Sequence, residues 1–136
     1  MQFDTKIAIV VRADLEAWQK LNVTAFLAGG LVGTYPELPG EAYADGSGQA
    51  YGPLIRQPIM IYAATGEELT RTLGRALGRA ITPSIYTAEL FATTHDEANR
   101  AAVAAVPTDA LDLVGLGLHA DRKAVDKVTK GLKLHG

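Results

Sequence analysis

The run Thr94-His95-Asp96-Glu97 is the densest cluster of chemistry-bearing side chains in the sequence. A histidine beside an aspartate can move protons near neutral pH, with the carboxylate orienting the ring. The same residues would also open a helix, since threonine and aspartate are favoured caps. His95 and Asp96 are therefore candidate acid–base groups and Thr94 a candidate ligand contact. The plain alternative is a polar cap with an exposed histidine. Far upstream, Lys20 offers a cation able to stabilise developing negative charge. Asn22 lies four residues after Trp18 and three before Ala25. On the buried stripe expected there, its amide needs partners, either a structural hydrogen bond or a ligand. Lys20 falls off that stripe and is expected to face solvent.

Positioning these groups takes an α/β domain. Ile7 to Val11 is an unbroken apolar run, the mark of a central strand covered on both faces, here over 6–11. The turn after it holds Arg12 and Asp14, and Asp14 is the expected cap of the first helix. Leu15, Trp18, Leu21, Ala25 and Ala28 are its expected buried face, and Gly29-Gly30 its stop. Residues 33–58 read as a long irregular connection with Asp45-Gly46 at a hairpin tip. A second strand is expected over 59–64. Helix two is expected next, capped by Thr65, with Leu69, Leu73, Ala76, Leu77 and Ala80 inward and Pro83 after its end. Strand three is expected over 85–93. A helix follows, opened by Thr94 or Asp96 and running to about 105. Strand four is expected over 111–118, and a last helix over 121–130 with Gly131 as its stop. The candidate site then lies between the start of helix one and the end of strand three.

Composition narrows the chemistry. With no cysteine among 136 residues, disulfides and thiolate chemistry are excluded, and three scattered histidines suggest no zinc site. No nucleotide-binding glycine loop, nucleophile elbow or zinc-protease motif occurs. A net charge of −2 does not mark a polyanion binder. Arg71, Arg75 and Arg79 share one helix face, which is either a phosphate grip or a solvated row with Glu67–Arg71 as an internal pair. Lysines crowd the C-terminal segment, which is either a basic end that favours phosphate or RNA or a solvated helix face whose lysines suit the end of a helix dipole. No signal peptide or bilayer-long apolar run is apparent, so a cytoplasmic protein off the membrane is expected. No cofactor, metal or DNA is expected.

The stretch Lys6-Ile-Ala-Ile-Val-Val-Arg-Ala-Asp-Leu15, with Lys20 and the small-residue helix after it, resembles type II peptidyl-tRNA hydrolases. Over nearly its whole length the chain resembles DUF2000, an uncharacterised bacterial family similar to those hydrolases in fold. The segments Leu21-Asn-Val-Thr-Ala, Leu90-Phe-Ala-Thr-Thr-His-Asp-Glu-Ala-Asn-Arg and Leu113-Val-Gly-Leu-Gly-Leu-His-Ala-Asp-Arg-Lys carry that likeness. The resemblance implies a three-layer α/β/α domain, peptidyl-tRNA hydrolase II-like, with a four-stranded mixed sheet and often dimeric. It sets Lys20 against the hydrolases' lysine near the start of helix one, and Thr94-His95-Asp96 where their Asp-Ala-Gly-x-Thr motif would stand. That motif is missing here, and the glutamine after their lysine has no clear partner.

The expectation is thus a domain of unknown function with this fold. Two functional alternatives accompany it. One is hydrolysis of an aminoacyl or peptidyl ester such as peptidyl-tRNA, with His95 or Asp96 activating water and Lys20 holding negative charge. The other is a module that binds a phosphorylated small-molecule or tRNA-like ligand without chemistry. A homodimer through the glycine-bearing helix two is the expected assembly.

Overall fold

In a computed structural model the chain is described over residues 3–136; Met1 and Gln2 lie outside the described residues. Strand β1 (Thr5–Arg12) is central, as its apolar run requires. It pairs in parallel with β4 (Ile59–Ala64) and antiparallel with β6 (Leu113–Asp121). Beyond β6 lies β5 (Ser84–Thr87), and beyond β4 lies β7 (Lys133–Leu134), giving the order β5-β6-β1-β4-β7. The sheet is mixed and has five strands rather than the expected four. Gly131, at φ +89°, turns the chain back, and the tail then adds to the free edge of β4.

Alternation along β1 sorts the helices into layers. Ile9 and Val11 join Val23 and Leu27 of α1 (Ala17–Thr34), and Ile7 joins Leu31. Ala8 and Val10 face α2 (Gly66–Gly78) and α4 (Arg122–Val128) through Leu69, Leu73, Ala76, Val125 and Val128. Each large aliphatic side chain so buried contributes about 1.5–3 kcal/mol. Beneath α1, β6 presents Gly115 and Gly117. A Cβ at Gly115 would stand 2.3 Å from Val23 Cγ1, so glycine is what lets α1 sit this close to the sheet.

The first helix departs most from the expectation. Glu16 caps it, in a reciprocal pair of bonds with Gln19, whereas Asp14 is held by Arg12 at 2.8 Å. It runs through Gly29-Gly30 to Thr34, because packing on the sheet outweighs the roughly 1 kcal/mol that each glycine costs a helix. Its buried face is Val23, Leu27 and Leu31, whereas Trp18, Leu21 and Ala25 are exposed and Leu15 and Ala28 half-buried. Asn22 is exposed rather than buried, and Lys20 is half-buried rather than solvent-facing.

Elsewhere the expected elements recur with shifted bounds. Thr65 caps α2 as expected, but Leu77 and Ala80 are exposed and Thr72 takes the buried place. Strand three is only four residues long, and Ala88–Ala92 form a 3-10 turn. His95 itself caps α3 (Asp96–Ala104), not Thr94 or Asp96. Asp121 caps α4. Between α1 and β4, a hairpin of β2 (Tyr43–Ala44) and β3 (Ala50–Tyr51) forms a separate small sheet. Asp45 holds its tip by accepting from the N–H groups of Ser47 and Gln49 and from the Tyr51 hydroxyl. Those bonds lower the Asp45 pKa, the tyrosine hydroxyl first. Among the described residues, no helix is long and apolar enough to cross a membrane.

Candidate functional site

Two clefts flank the N-terminal half of α1. The helix decides which side chain enters which: successive residues turn by about 100°, so Lys20 and Asn22 point about 200° apart. The candidate residues therefore divide.

Asn22, Thr94, His95 and Asp96 do come together, in a cleft of about 440 Å³ between α1, the 3-10 turn and the start of α3. Aromatic packing holds these elements in place. Trp18 meets Phe91 edge-on at 5.8 Å between ring centroids, and Phe91 meets Tyr86 at 5.1 Å. The Thr93 hydroxyl donates to the Leu90 carbonyl at 3.0 Å and also meets the Asn99 side chain. Burial raises the pKa of Tyr86, which keeps its phenol protonated here.

The chemistry of this cleft is largely committed. The Ala98 N–H donates to Nδ1 of His95 at 3.2 Å. A nitrogen that accepts there carries no proton, so in the neutral ring Nε2 carries it, and His95 enters the cleft as a donor rather than a base. Asp96 is ion-paired with Arg100 one turn along the helix. His95 thus caps α3 and Asp96 pairs along its exposed side, contacts that the plain reading of a polar cap with an exposed histidine also contains.

Lys20 lies in the other cleft, a cavity of about 400 Å³ between α1 and β1–β4, lined by Val11, Ala17, Leu21, Thr24, Ile61 and His135. Its walls are apolar. Thr24 adds no free donor, since its hydroxyl is spent on the carbonyls of Lys20 and Leu21, both at 2.9 Å. Lys20 Nζ stands 3.0 Å from Nε2 of His135. An ammonium has only donors, so Nε2 accepts. Nδ1 then carries the ring proton and donates to the Gly136 carbonyl at 2.9 Å. The cavity thus holds one cation and one imidazole whose basic nitrogen is turned toward it. β7 puts His135 there, and the His135 N–H extends the strand pairing by donating to the Ile61 carbonyl at 2.9 Å.

His135 was not among the candidate residues, because 115 residues separate it from Lys20 and no spacing rule joins them. The readable signal was the alternation Leu132-Lys133-Leu134 after Gly131, which suits a short edge strand. Of the remaining charged candidates, Arg12 and Arg75 are occupied. Arg12 bridges Asp14 and Asp112; burial works against its charge, but the two carboxylates prevail and raise its pKa. Arg75, the middle of the arginine row, donates to the Lys130 carbonyl at 2.9 Å. Among the described residues, no group of three or more histidine, aspartate or glutamate side chains could hold a metal ion.

Among curated proteins no match to the chain is found. The chain is similar to a solved structure, a protein of unknown function, Atu0240, from Agrobacterium tumefaciens strain C58. The two are 52% identical over 99% of this chain and 100% of that one, with a TM-score of 0.97. The family model for a protein of unknown function, DUF2000, matches residues 5–136. The chain belongs to the DUF2000 family.

Proposed function

We propose that the protein binds a small organic acid or acyl compound in the cavity between α1 and β1–β4. The observation that carries this reading is the Lys20–His135 pair, the polar feature of an otherwise apolar cavity near the carboxyl ends of two parallel strands. Ligands of α/β sheets gather at such ends. A short hydrocarbon body would fill the cavity, and its carboxylate or carbonyl oxygen would take the Lys20 ammonium. Calorimetric titration with straight-chain carboxylates tests it. Affinity should rise about fourfold for each CH₂ buried, from about 0.8 kcal/mol per CH₂, until the cavity is full, and Lys20→Met should abolish binding. Carboxylates that bind Lys20→Met as well as the native chain would refute the reading.

A second reading has one specific observation behind it, the 3.0 Å contact from Lys20 Nζ to His135 Nε2, in which Nε2 is the acceptor. A bound ester would draw the Lys20 ammonium to its carbonyl oxygen and free that nitrogen. His135 could then accept a proton as water adds to the carbonyl, and return it to the departing alkoxide. Hydrolysis of an aminoacyl or peptidyl ester would follow, with His135 in the place first given to His95 or Asp96. The position of Lys20 early in α1 supports the likeness to type II peptidyl-tRNA hydrolases, and the layered mixed sheet supports a fold of that kind. A cytoplasmic setting goes with this reading. Turnover of an N-blocked aminoacyl-tRNA should be lost in Lys20→Ala and His135→Ala and kept in His95→Ala; loss in His95→Ala alone would return the chemistry to the other cleft.

A further inference from the structure

The outward half of α1 is left largely uncovered: Trp18 touches Phe91 and Phe26 touches Tyr86, and both stay more than half exposed. Between Ala17 and Thr34 the one charged residue is Lys20, and it is half-buried. The outward half carries Trp18, Leu21, Ala25, Phe26, Gly29 and Gly33, all exposed. A helix apolar on every side is normally covered on every side. Gly29 and Gly33 have no atom within 4 Å of where a Cβ would stand, so no contact inside the chain calls for glycine there.

The β2–β3 hairpin is exposed in the same way. Every residue from 41 to 54 is exposed, including Tyr43, Tyr51 and Leu54, and its strands pair only with each other. A lone two-stranded hairpin is marginal in water. It is rooted near the end of α1, where the Gly40 N–H donates to the Leu54 carbonyl at 2.8 Å and Pro39 bridges Ile55.

We propose that the two surfaces cover each other across a two-fold axis in a dimer of this chain. The outward face of α1 packs antiparallel on α1 of a second copy, with Ala25 and Gly29 at the close approach. Each hairpin, rooted at the C-terminal end of its own α1, lies over the N-terminal half of the partner's helix. The area decides for this arrangement. Trp18, Leu21, Phe26, Tyr43, Tyr51 and Leu54 are 53–71% exposed. At about 200 Å² for each such side chain, they offer about 700 Å² per copy, close to the ~800 Å² per partner of a standard interface. The helix face alone supplies about half of that, so the hairpin is needed. The outward side of α2 carries Glu67, Arg71 and Arg75 and matches an apolar partner poorly.

Sedimentation velocity across the micromolar range tests the dimer. The native chain should sediment as a dimer. Gly29→Arg, whose Cβ would have no atom within 4 Å in the single chain, should be monomeric with unchanged circular dichroism, and Ala25→Glu should repeat the result if Gly29→Arg folds poorly. Tyr43→Ser with Leu54→Ser should weaken association tenfold or more. Gly74→Arg on α2 should leave the dimer intact. A monomeric native chain overturns the proposal, and so does a dimer that survives Gly29→Arg but falls apart in Gly74→Arg. None of these variants lines the Lys20 cavity, so carboxylate binding reads out separately.

Discussion

Gly115→Ala should loosen the helix that carries both clefts. A Cβ at this position would stand 2.3 Å from Val23 Cγ1 and 2.9 Å from Leu27 Cδ1. Carbon atoms ordinarily meet at about 3.5–4.0 Å. Valine in a helix is confined to essentially one rotamer, so Val23 cannot swing aside and α1 must lift from the sheet. Overpacking of a core costs about 1–3 kcal/mol, and an overlap this large belongs at the upper end, about 3 kcal/mol. Gly117 is the internal control: a Cβ there would lie 3.4 Å from Leu27 Cβ and Leu31 Cδ1, close to ordinary contact. Gly117→Ala should cost less than about 1 kcal/mol. At this chain length 1 kcal/mol moves Tm by about 4 °C, so Gly115→Ala should melt about 10 °C below the native chain and Gly117→Ala within about 4 °C of it. Far-ultraviolet circular dichroism through the thermal transition reads both. Val23→Ala, which removes the struck methyl, should restore part of the loss in the double variant. Equal melting of Gly115→Ala and the native chain would refute the claim that close helix–sheet contact selects this glycine.

Three further outcomes follow from local contacts. Thr65→Ala removes the cap bond from the Glu68 N–H to the threonine hydroxyl and should cost about 1 kcal/mol in denaturant unfolding. Burial holds the His119 pKa below its ordinary value, and its Nδ1 has no partner. The unfolded chain therefore takes up the proton first, so this contribution to stability is complete above pH 6.5 and declines as pH falls below it. Melting of His119→Phe should be flatter than that of the native chain over that window, and an unchanged slope would remove His119 as its source. Asp96→Asn breaks an exposed ion pair with Arg100 and should shift stability by less than about 1 kcal/mol; a larger loss would show that the pair braces the cleft.

The strands were legible wherever local pattern and burial agreed. The apolar run of β1 announced a central strand, and Thr65 announced the start of α2. Helix α1 was legible as a helix but not in its orientation. It is apolar all round, so periodicity offers two stripes, and only Gly115 and Gly117 across the sheet select Val23, Leu27 and Leu31. The strand expected over 85–93 is half strand and half 3-10 turn, since apolar runs of this length suit either. Histidine is not among the usual cap residues, so the sequence points to Thr94 or Asp96 where His95 caps α3. Asn22, Thr94, His95 and Asp96 share a cleft as expected, brought there by the Trp18–Phe91 contact. Lys20 could not join them, since its place on the helix turns it toward β4. Its partner His135 arrives through β7, a strand of two residues whose pairing is purely tertiary.

The most direct measurement is amide-shift mapping by NMR during titration with a medium-chain carboxylate, on the native chain, Lys20→Met and His95→Ala. If the Lys20–His135 cavity is the site, shifts will cluster at Val11, Ala17, Thr24, Ile61 and His135, persist in His95→Ala and vanish in Lys20→Met. Shifts confined to 93–99, or a Lys20→Met chain that responds like the native one, would contradict it.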